Sequence, residues 1–139
     1  MTVVYFTDRD LGHRFPEILK SAGLNVERHA DHFAPDTPDA EWLEAAGNKG
    51  WIVLTHDRRI RYKPNELEAV VQHGVALLVI VGAAPYPDLA RSFVATRQVI
   101  ERFLDEHKPP FIAKIYRPSP AETAKNRNAP GRIELWYPR

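Results

Sequence analysis

Acidic side chains stand at the ends of the apolar segments that are typical of buried strands. Asp8 and Asp10 follow the first such segment, Asp57 follows the third, and Asp39 opens a helical segment between them. Carboxylates that converge repel one another unless a cation neutralises them, and oxygen ligands of this kind suit Mg²⁺ or Mn²⁺. These ions commonly activate water against a phosphodiester bond. The acids therefore indicate phosphodiester hydrolysis, provided that the fold brings them together.

A basic run lies directly behind Asp57. The segment 51–63 begins with an apolar stretch, changes character at Thr55-His56-Asp57 and then carries the cationic residues Arg58, Arg59, Arg61 and Lys63. Arginine side chains hold phosphate oxygens and stabilise transition-state charge. We therefore expect Arg58, Arg59 and Arg61, together with Arg9 beside Asp8, to contact a substrate backbone. The ordinary alternative for such a run is a solvated helix face.

The acids also have ordinary structural explanations. Asp10, Asp39 and Asp88 stand where helix N-caps or first-turn acids belong, and such acids stabilise helix ends. Asp8 and Asp57 are less readily explained in this way, because both come directly after apolar strands.

The elements that must position these residues alternate between strands and helices. The patterns predict strands over residues 3–7, 24–29, 51–54, 75–81 and 111–116, and helices over residues 11–22, 38–46, 64–73 and 89–104. Asp10 and Thr37 are expected as N-caps of the first two helices. This alternation predicts a three-layer α/β/α fold with a mostly parallel sheet of about five strands. Because parallel strands all end at the same edge of a sheet, the acids after each strand should share one rim.

Length and composition set the remaining limits. A chain of 139 residues with 44% hydrophobic and 27% charged residues suits one globular domain. We assign residues 1–116 to an α/β domain and 117–139 to a Pro-rich tail with a potential edge strand over 133–137. The chain has no membrane-length apolar run and no cysteine, and it begins with a strand-like segment rather than a signal peptide, so a cytoplasmic location is expected. A net charge of +1 means that nucleic-acid binding must depend on local charge.

Several short motifs agree in order and separation with a known family. Phe6-Thr-Asp8-Arg-Asp10-Leu-Gly, Pro38-Asp39-Ala-Glu41-Trp-Leu and Val53-Leu-Thr-His-Asp57-Arg resemble the PIN-like domain superfamily, in particular its compact branch akin to VapC-type toxins of toxin-antitoxin pairs. The resemblance covers roughly residues 3–81. It implies an RNA-cleaving domain that uses Mg²⁺ or Mn²⁺, with an antitoxin protein as partner. It assigns Asp8, Asp39 and Asp57 to metal and catalysis, with Asp10 or Glu41 as a further acid.

Two other functions stay open at this point. The acids after the first and third strands, with Lys114 in the fifth, are also similar to a receiver domain in which Asp57 accepts a phosphoryl group. A catalytically silent PIN-like interaction module is the other alternative, with the acids as helix caps and the basic run binding a partner. The residues leave open whether the chain forms a homodimer.

Overall fold

The computed structural model describes residues 2–57 and 59–138, and within them a single mixed sheet forms the centre of the molecule. Its six strands lie in the order β2-β1-β3-β4-β5-β6. Their bounds are β1 Val4–Thr7, β2 Asn25–Arg28, β3 Ile52–Thr55, β4 Ala76–Ile80, β5 Phe111–Tyr116 and β6 Arg132–Tyr137. β1 to β5 pair in parallel, and β6 pairs antiparallel with β5.

Helices connect the parallel strands as the alternating pattern predicts. Their bounds are α1 Arg14–Ser21, α2 His29–His32, α3 Asp39–Lys49, α4 Pro64–Gln72, α5 Tyr86–Ala95, α6 Arg97–Glu106 and α7 Pro120–Lys125. Short 3₁₀ turns cover Arg9–Leu11 and Ile60–Tyr62. α4 begins at Pro64, where the missing N–H costs no helical hydrogen bond.

Both faces of the sheet are covered, so the predicted three-layer α/β/α class is confirmed. In β4, Ala76, Leu78 and Ile80 pack on one face against a cluster that includes residues of α1, α5 and α6. Leu77 and Val79 point the other way, into a cluster with residues of α3 and α4. Every residue of β4 is buried, as expected for a central strand of a parallel sheet.

The break in the long predicted helix has a clear cause. The structure has two helices, α5 and α6, on either side of Thr96, rather than one helix over 89–104. The Thr96 hydroxyl donates to the carbonyl of Ser92 at 2.7 Å, and it accepts the N–H of Gly131 at 2.8 Å. A hydroxyl that bonds back to the preceding turn bends a helix. Here it also fastens the C-terminal segment to the junction.

Three local predictions are corrected. Asp10 does not cap a helix, since its carboxylate accepts hydrogen bonds from Thr55 and His56, while Asp8 caps the 3₁₀ turn. Thr37 does not cap α3, because its N–H closes a turn onto Ala34 and the N-cap position belongs to Pro38. The predicted strand over 24–29 ends at Arg28, and the short helix α2 begins at His29. Beyond residue 116, α7 precedes β6, and β6 covers the potential edge strand.

Candidate active site

The sheet order creates a crevice between the ends of β1 and β3. The connection after β1 leads to one side of the sheet, to β2, and the chain then returns to β3 on the other side of β1. Doubly wound sheets bind ligands at the point where the strand order reverses in this way. Thr7 lies opposite Leu54 in the register, and the N–H of Asp8 continues the pairing onto the Leu54 carbonyl at 3.0 Å. Asp8 therefore leaves β1 directly beside Thr55.

Asp8 and Asp10 meet at the hydroxyl of Thr55. Thr55 Oγ1 lies 3.0 Å from Asp8 Oδ2 and 2.9 Å from Asp10 Oδ2, and the threonine is fully buried. The same oxygen accepts the N–H of Asp57 at 3.2 Å. A hydroxyl has one proton to donate, so it cannot satisfy both carboxylates at once. The backbone N–H of His56 adds a 3.0 Å bond to Asp10.

This crowding changes the acidity of both carboxyl groups. Burial, followed by the charge of Asp10, raises the pKa of Asp8 from 3.8 to about 7, although its hydrogen bonds to Thr55 and Arg9 oppose the change. Burial likewise raises the pKa of Asp10. Asp10 Oδ1 is buried and has no hydrogen-bond partner among the described residues. The pair is thus short of positive charge and of hydrogen-bond donors.

A hard divalent cation fits these two residues. Mg²⁺ is usually held by one or two carboxylates and completes its coordination with water and substrate phosphate oxygens. Asp8 and Asp10 offer carboxylate oxygens at the rim, including the unpartnered Oδ1 of Asp10. Within residues 2–57 and 59–138, however, there is no group of three or more His, Cys, Asp or Glu side chains arranged to hold a metal ion. The described residues thus supply a carboxylate pair rather than a complete protein cage.

Asp39 and Asp57 border this pair but have partners of their own. Asp39 accepts the indole N–H of Trp42 at 3.0 Å, and its charge contributes to raising the pKa of Asp8. Asp57 forms an ion pair with Lys63. Burial raises the pKa of Asp57, but Lys63 and the N–H of Arg59 outweigh that effect, so the net change is downward. The expected set of Asp8, Asp39 and Asp57 as metal ligands stays a prediction.

The remaining acids lie elsewhere. Glu41 lines a shallow groove between α3 and α4 with Glu44 and Glu68. Asp88 forms an ion pair with Arg91 in the first turn of α5. Lys114, which the receiver alternative needs near Asp57, lies over the Trp136 ring at 3.9 Å from its centre. The lysine that contacts Asp57 is Lys63 instead.

The predicted substrate-binding arginines differ in their surroundings. Arg9 donates from Nε to His29 Nδ1 at 2.8 Å and from Nη2 to the Phe33 carbonyl at 2.7 Å, so it fastens the segment after β2 to the rim. Arg59 is exposed, and its N–H donates to Asp57 Oδ1 at 2.9 Å. Arg58 and the side chain of Arg61 lie outside the described part of the structure.

Sequence reasoning missed the role of Thr55 and His56. Thr55 joins the two acids, and His56 Nε2 contacts the Gly82 carbonyl at 2.7 Å, which links the ends of β3 and β4. The signal was present, because a threonine that ends an apolar strand beside aspartates has a hydroxyl available at the rim. His29, whose Nδ1 accepts the Arg9 side chain, is buried.

The fold and this site define a doubly wound α/β domain with paired carboxylates at its switch point. A sequence model of the PIN like domain family matches residues 3–82, more than half of the chain. The chain therefore belongs to the PIN-like domains, a superfamily that includes nucleases. Neither the curated proteins nor the solved structures contain a match. None of the helices in the described part of the chain has the length and hydropathy needed to cross a bilayer.

Proposed function

We propose that this protein is a cytoplasmic ribonuclease that depends on Mg²⁺ or Mn²⁺ and cleaves RNA phosphodiesters. The observation that supports it most is the meeting of Asp8 and Asp10 at the single hydroxyl of Thr55. Two half-buried carboxylates with raised pKa values that share one hydroxyl donor are unfavourable unless a cation joins them. Family membership agrees with this chemistry, because the superfamily includes nucleases.

In the proposed mechanism Asp8 and Asp10 would hold the cation, with Asp39 and Asp57 at the edge of the same crevice. A bound Mg²⁺ or Mn²⁺ supplies Lewis-acid stabilisation of phosphoryl oxygens and lowers the pKa of a water molecule. Thr55 positions the two carboxylates, and the His56 N–H fixes the orientation of Asp10. Arg59, which is exposed and donates its N–H to Asp57, would contact the RNA backbone, and Arg58 and Arg61 keep the same proposed role.

The biological setting that we propose is a toxin of the VapC type that an antitoxin protein restrains. This finer assignment rests on the motifs around Asp8, Asp39 and Asp57. Induced expression of the wild-type chain should arrest bacterial growth, whereas Asp10→Asn should not. Co-expression of a small reading frame adjacent to its gene should relieve the growth arrest. If none of the adjacent reading frames relieves the arrest, the toxin-antitoxin assignment is refuted.

Cleavage of a fluorescent single-stranded RNA tests the enzymatic proposal. We expect wild-type protein to cleave with Mg²⁺ or Mn²⁺ and to stop in EDTA. Asp8→Asn and Asp10→Asn should each lower the rate by at least about 100-fold, the scale of losing a group that stabilises transition-state charge. Asp36→Asn, which changes an exposed loop acid, is the matched control and should cleave normally. Absence of cleavage, or cleavage that ignores both EDTA and Asp10→Asn, would refute the proposal.

A catalytically silent PIN-like module is the second candidate, and two observations favour it. Lys63 already neutralises Asp57, and the described residues contain no three-ligand metal cluster. A cation that binds the native state must stabilise it. A melting temperature unchanged by Mg²⁺ and Mn²⁺ would favour the silent module over the enzyme.

A further inference from the structure

A wide groove lies outside the segment that the PIN-like family model matches. It has a volume of about 610 Å³ and runs between α5 and the C-terminal segment. Its polar lining consists chiefly of Arg91, Arg117 and Arg127 with Ser92, Thr123 and Asn128. Guanidinium, hydroxyl and amide groups are the side chains that bind phosphate oxygens.

The charge of this groove is positive and largely uncompensated. Asp88 is the one acid among its described lining residues, and it is paired with Arg91. Within the described residues, the guanidinium groups of Arg117 and Arg127 have no hydrogen bond or ion pair. Two cationic side chains therefore face a concave surface without an acidic partner.

The segment that carries these arginines is held in place rather than loosely attached. A Cβ at Gly131 would lie 1.8 Å from the Tyr116 carbonyl oxygen, so only glycine allows this backbone approach. The Gly131 N–H donates to the buried Thr96 hydroxyl, and Ala129 is buried. Ser119 and Glu122 form a capping box at the start of α7. Arg117 and Arg127 are thus presented on a fixed frame.

A chain of contacts joins the groove to the carboxylate pair. Asp10 accepts the N–H of His56, whose side chain contacts the Gly82 carbonyl. A Cβ at Gly82 would lie 3.6 Å from Arg117 Cδ, so the arginine stem packs against this glycine. Arg117 follows β5 at the same edge of the sheet where Asp8 and Asp57 follow β1 and β3. A strand held at the carboxylates can therefore continue into the groove.

We propose that this groove binds backbone phosphates of the RNA strand beside the phosphodiester that is cleaved, with Arg117 and Arg127 as the principal contacts. This inference rests on the proposed ribonuclease function for the identity of the strand. The groove volume of about 610 Å³ lies in the range of sites that hold whole small molecules, about 300 to 1,000 Å³. A groove of this size is too large for a single ion and suits several linked units of a polymer. One phosphate would leave most of the groove empty, whereas a short stretch of backbone fills it.

The test is RNA binding in EDTA, which separates it from cleavage. The affinity of a fluorescent single-stranded oligoribonucleotide is measured by anisotropy over a NaCl series for wild type, R117A/R127A and R117K/R127K. The matched control is R102A/K108A, which removes the same charge from exposed residues that do not line the groove. Circular dichroism and thermal unfolding verify that each variant is folded.

We expect R117A/R127A to bind RNA at least about tenfold more weakly, because the variant loses the charged hydrogen-bond donors of two arginines. The slope of log K against log salt should become shallower by about 1.4, because each phosphate contact with a single strand contributes about 0.7 to the slope and the variant loses two. R117K/R127K should largely restore the slope because it retains both charges. R102A/K108A should keep the wild-type slope.

The outcomes separate this inference from the proposed function. The proposed RNA-binding role of the groove is overturned if the salt slope of R117A/R127A equals that of R102A/K108A, or if wild type binds no RNA. Either result holds whether or not the protein cleaves RNA. Groove-dependent binding without cleavage supports the groove and counts against the ribonuclease. Calorimetry with inorganic phosphate is the last arm. Phosphate binding that R117A/R127A removes, with an unchanged RNA slope, would make the groove a free-phosphate site and overturn the assignment to RNA.

Discussion

Replacing Asp8 by asparagine should stabilise the metal-free protein at pH 8 while removing its response to metal. Asparagine retains the shape of the side chain. Its carbonyl can accept the Arg9 N–H and its amide can donate to Thr55 Oγ1, in place of the bonds that Asp8 makes. The Thr55 hydroxyl can then donate its one hydrogen bond to Asp10. The substitution therefore removes one buried negative charge and leaves the contacts largely in place.

The magnitude follows from the pKa of Asp8, which is about 7 in the folded protein against an ordinary value of 3.8. One pKa unit corresponds to about 1.4 kcal/mol, so ionisation of Asp8 costs the native state on the order of 4 kcal/mol. Between these two pKa values the native state holds a proton that the unfolded chain has released. This contribution to stability is present below about pH 4 and is lost as the pH rises through about 7.

Urea unfolding followed by circular dichroism, at pH 5 and pH 8 in EDTA, measures this effect. We expect the stability of Asp8→Asn relative to wild type to rise by a few kcal/mol between the two pH values, and Asp36→Asn to show no such change. Addition of Mg²⁺ should narrow the difference at pH 8, because a cation at 100 times its Kd stabilises wild type by about 2.7 kcal/mol and should leave Asp8→Asn unchanged. An equal effect of Asp8→Asn at pH 5 and pH 8 would refute the buried-charge explanation.

Three further predictions address the supports of the site and of the groove. Thr55→Val removes the shared hydroxyl and should lower the free energy of unfolding by about 1 to 3 kcal/mol at pH 8 in EDTA; an unchanged urea midpoint would contradict the geometry. Lys63→Met should move the carboxyl NMR titration of Asp57 to higher pH with a stability change below about 1 kcal/mol, and an unmoved titration would show that the ion pair does not form. Gly131→Ala should loosen the C-terminal segment, because its Cβ would lie 1.8 Å from the Tyr116 carbonyl oxygen, and this should appear as faster limited proteolysis than in wild type; equal rates would count against the tight contact.

The central architecture could be predicted because its signals are local. Apolar runs of four to six residues became strands, and Trp42, Leu43 and Ala46 point into the core as their helical spacing requires. Topology alone then placed Asp8 and Thr55 at one edge. The break at Thr96 could not be predicted, because the back-bond from its hydroxyl to Ser92 leaves the apolar periodicity unchanged, and the second bond to that hydroxyl comes from Gly131, which is 35 residues away in the chain.

The site was predictable only in part, for a related reason. Sequence order gives which strand an acid follows, but the partner of each acid depends on side-chain reach across the rim. Asp10 has the spacing of a helix cap, yet Thr55 and His56 hold its carboxylate. Asp57 follows its strand as expected, yet its carboxylate accepts a hydrogen bond from Lys63, six residues later in the chain. Such pairings join residues that are far apart in the chain, or depend on which of several nearby groups binds the carboxylate. The periodicity of apolar residues therefore does not predict them.

These pairings also change where the positive charge for a polyanion should be sought. The basic residues nearest to the acids are partly engaged within the protein, since Arg9 donates to His29 and Phe33 and Lys63 to Asp57. Arg117 and Arg127, far along the chain, have no such partner within the described residues. A cation that is already paired has less to gain from a phosphate than one that is not. The PIN-like segment therefore supplies the carboxylates, while the segment after β5 supplies the unpaired charge that, in our proposal, attracts and orients a phosphate backbone.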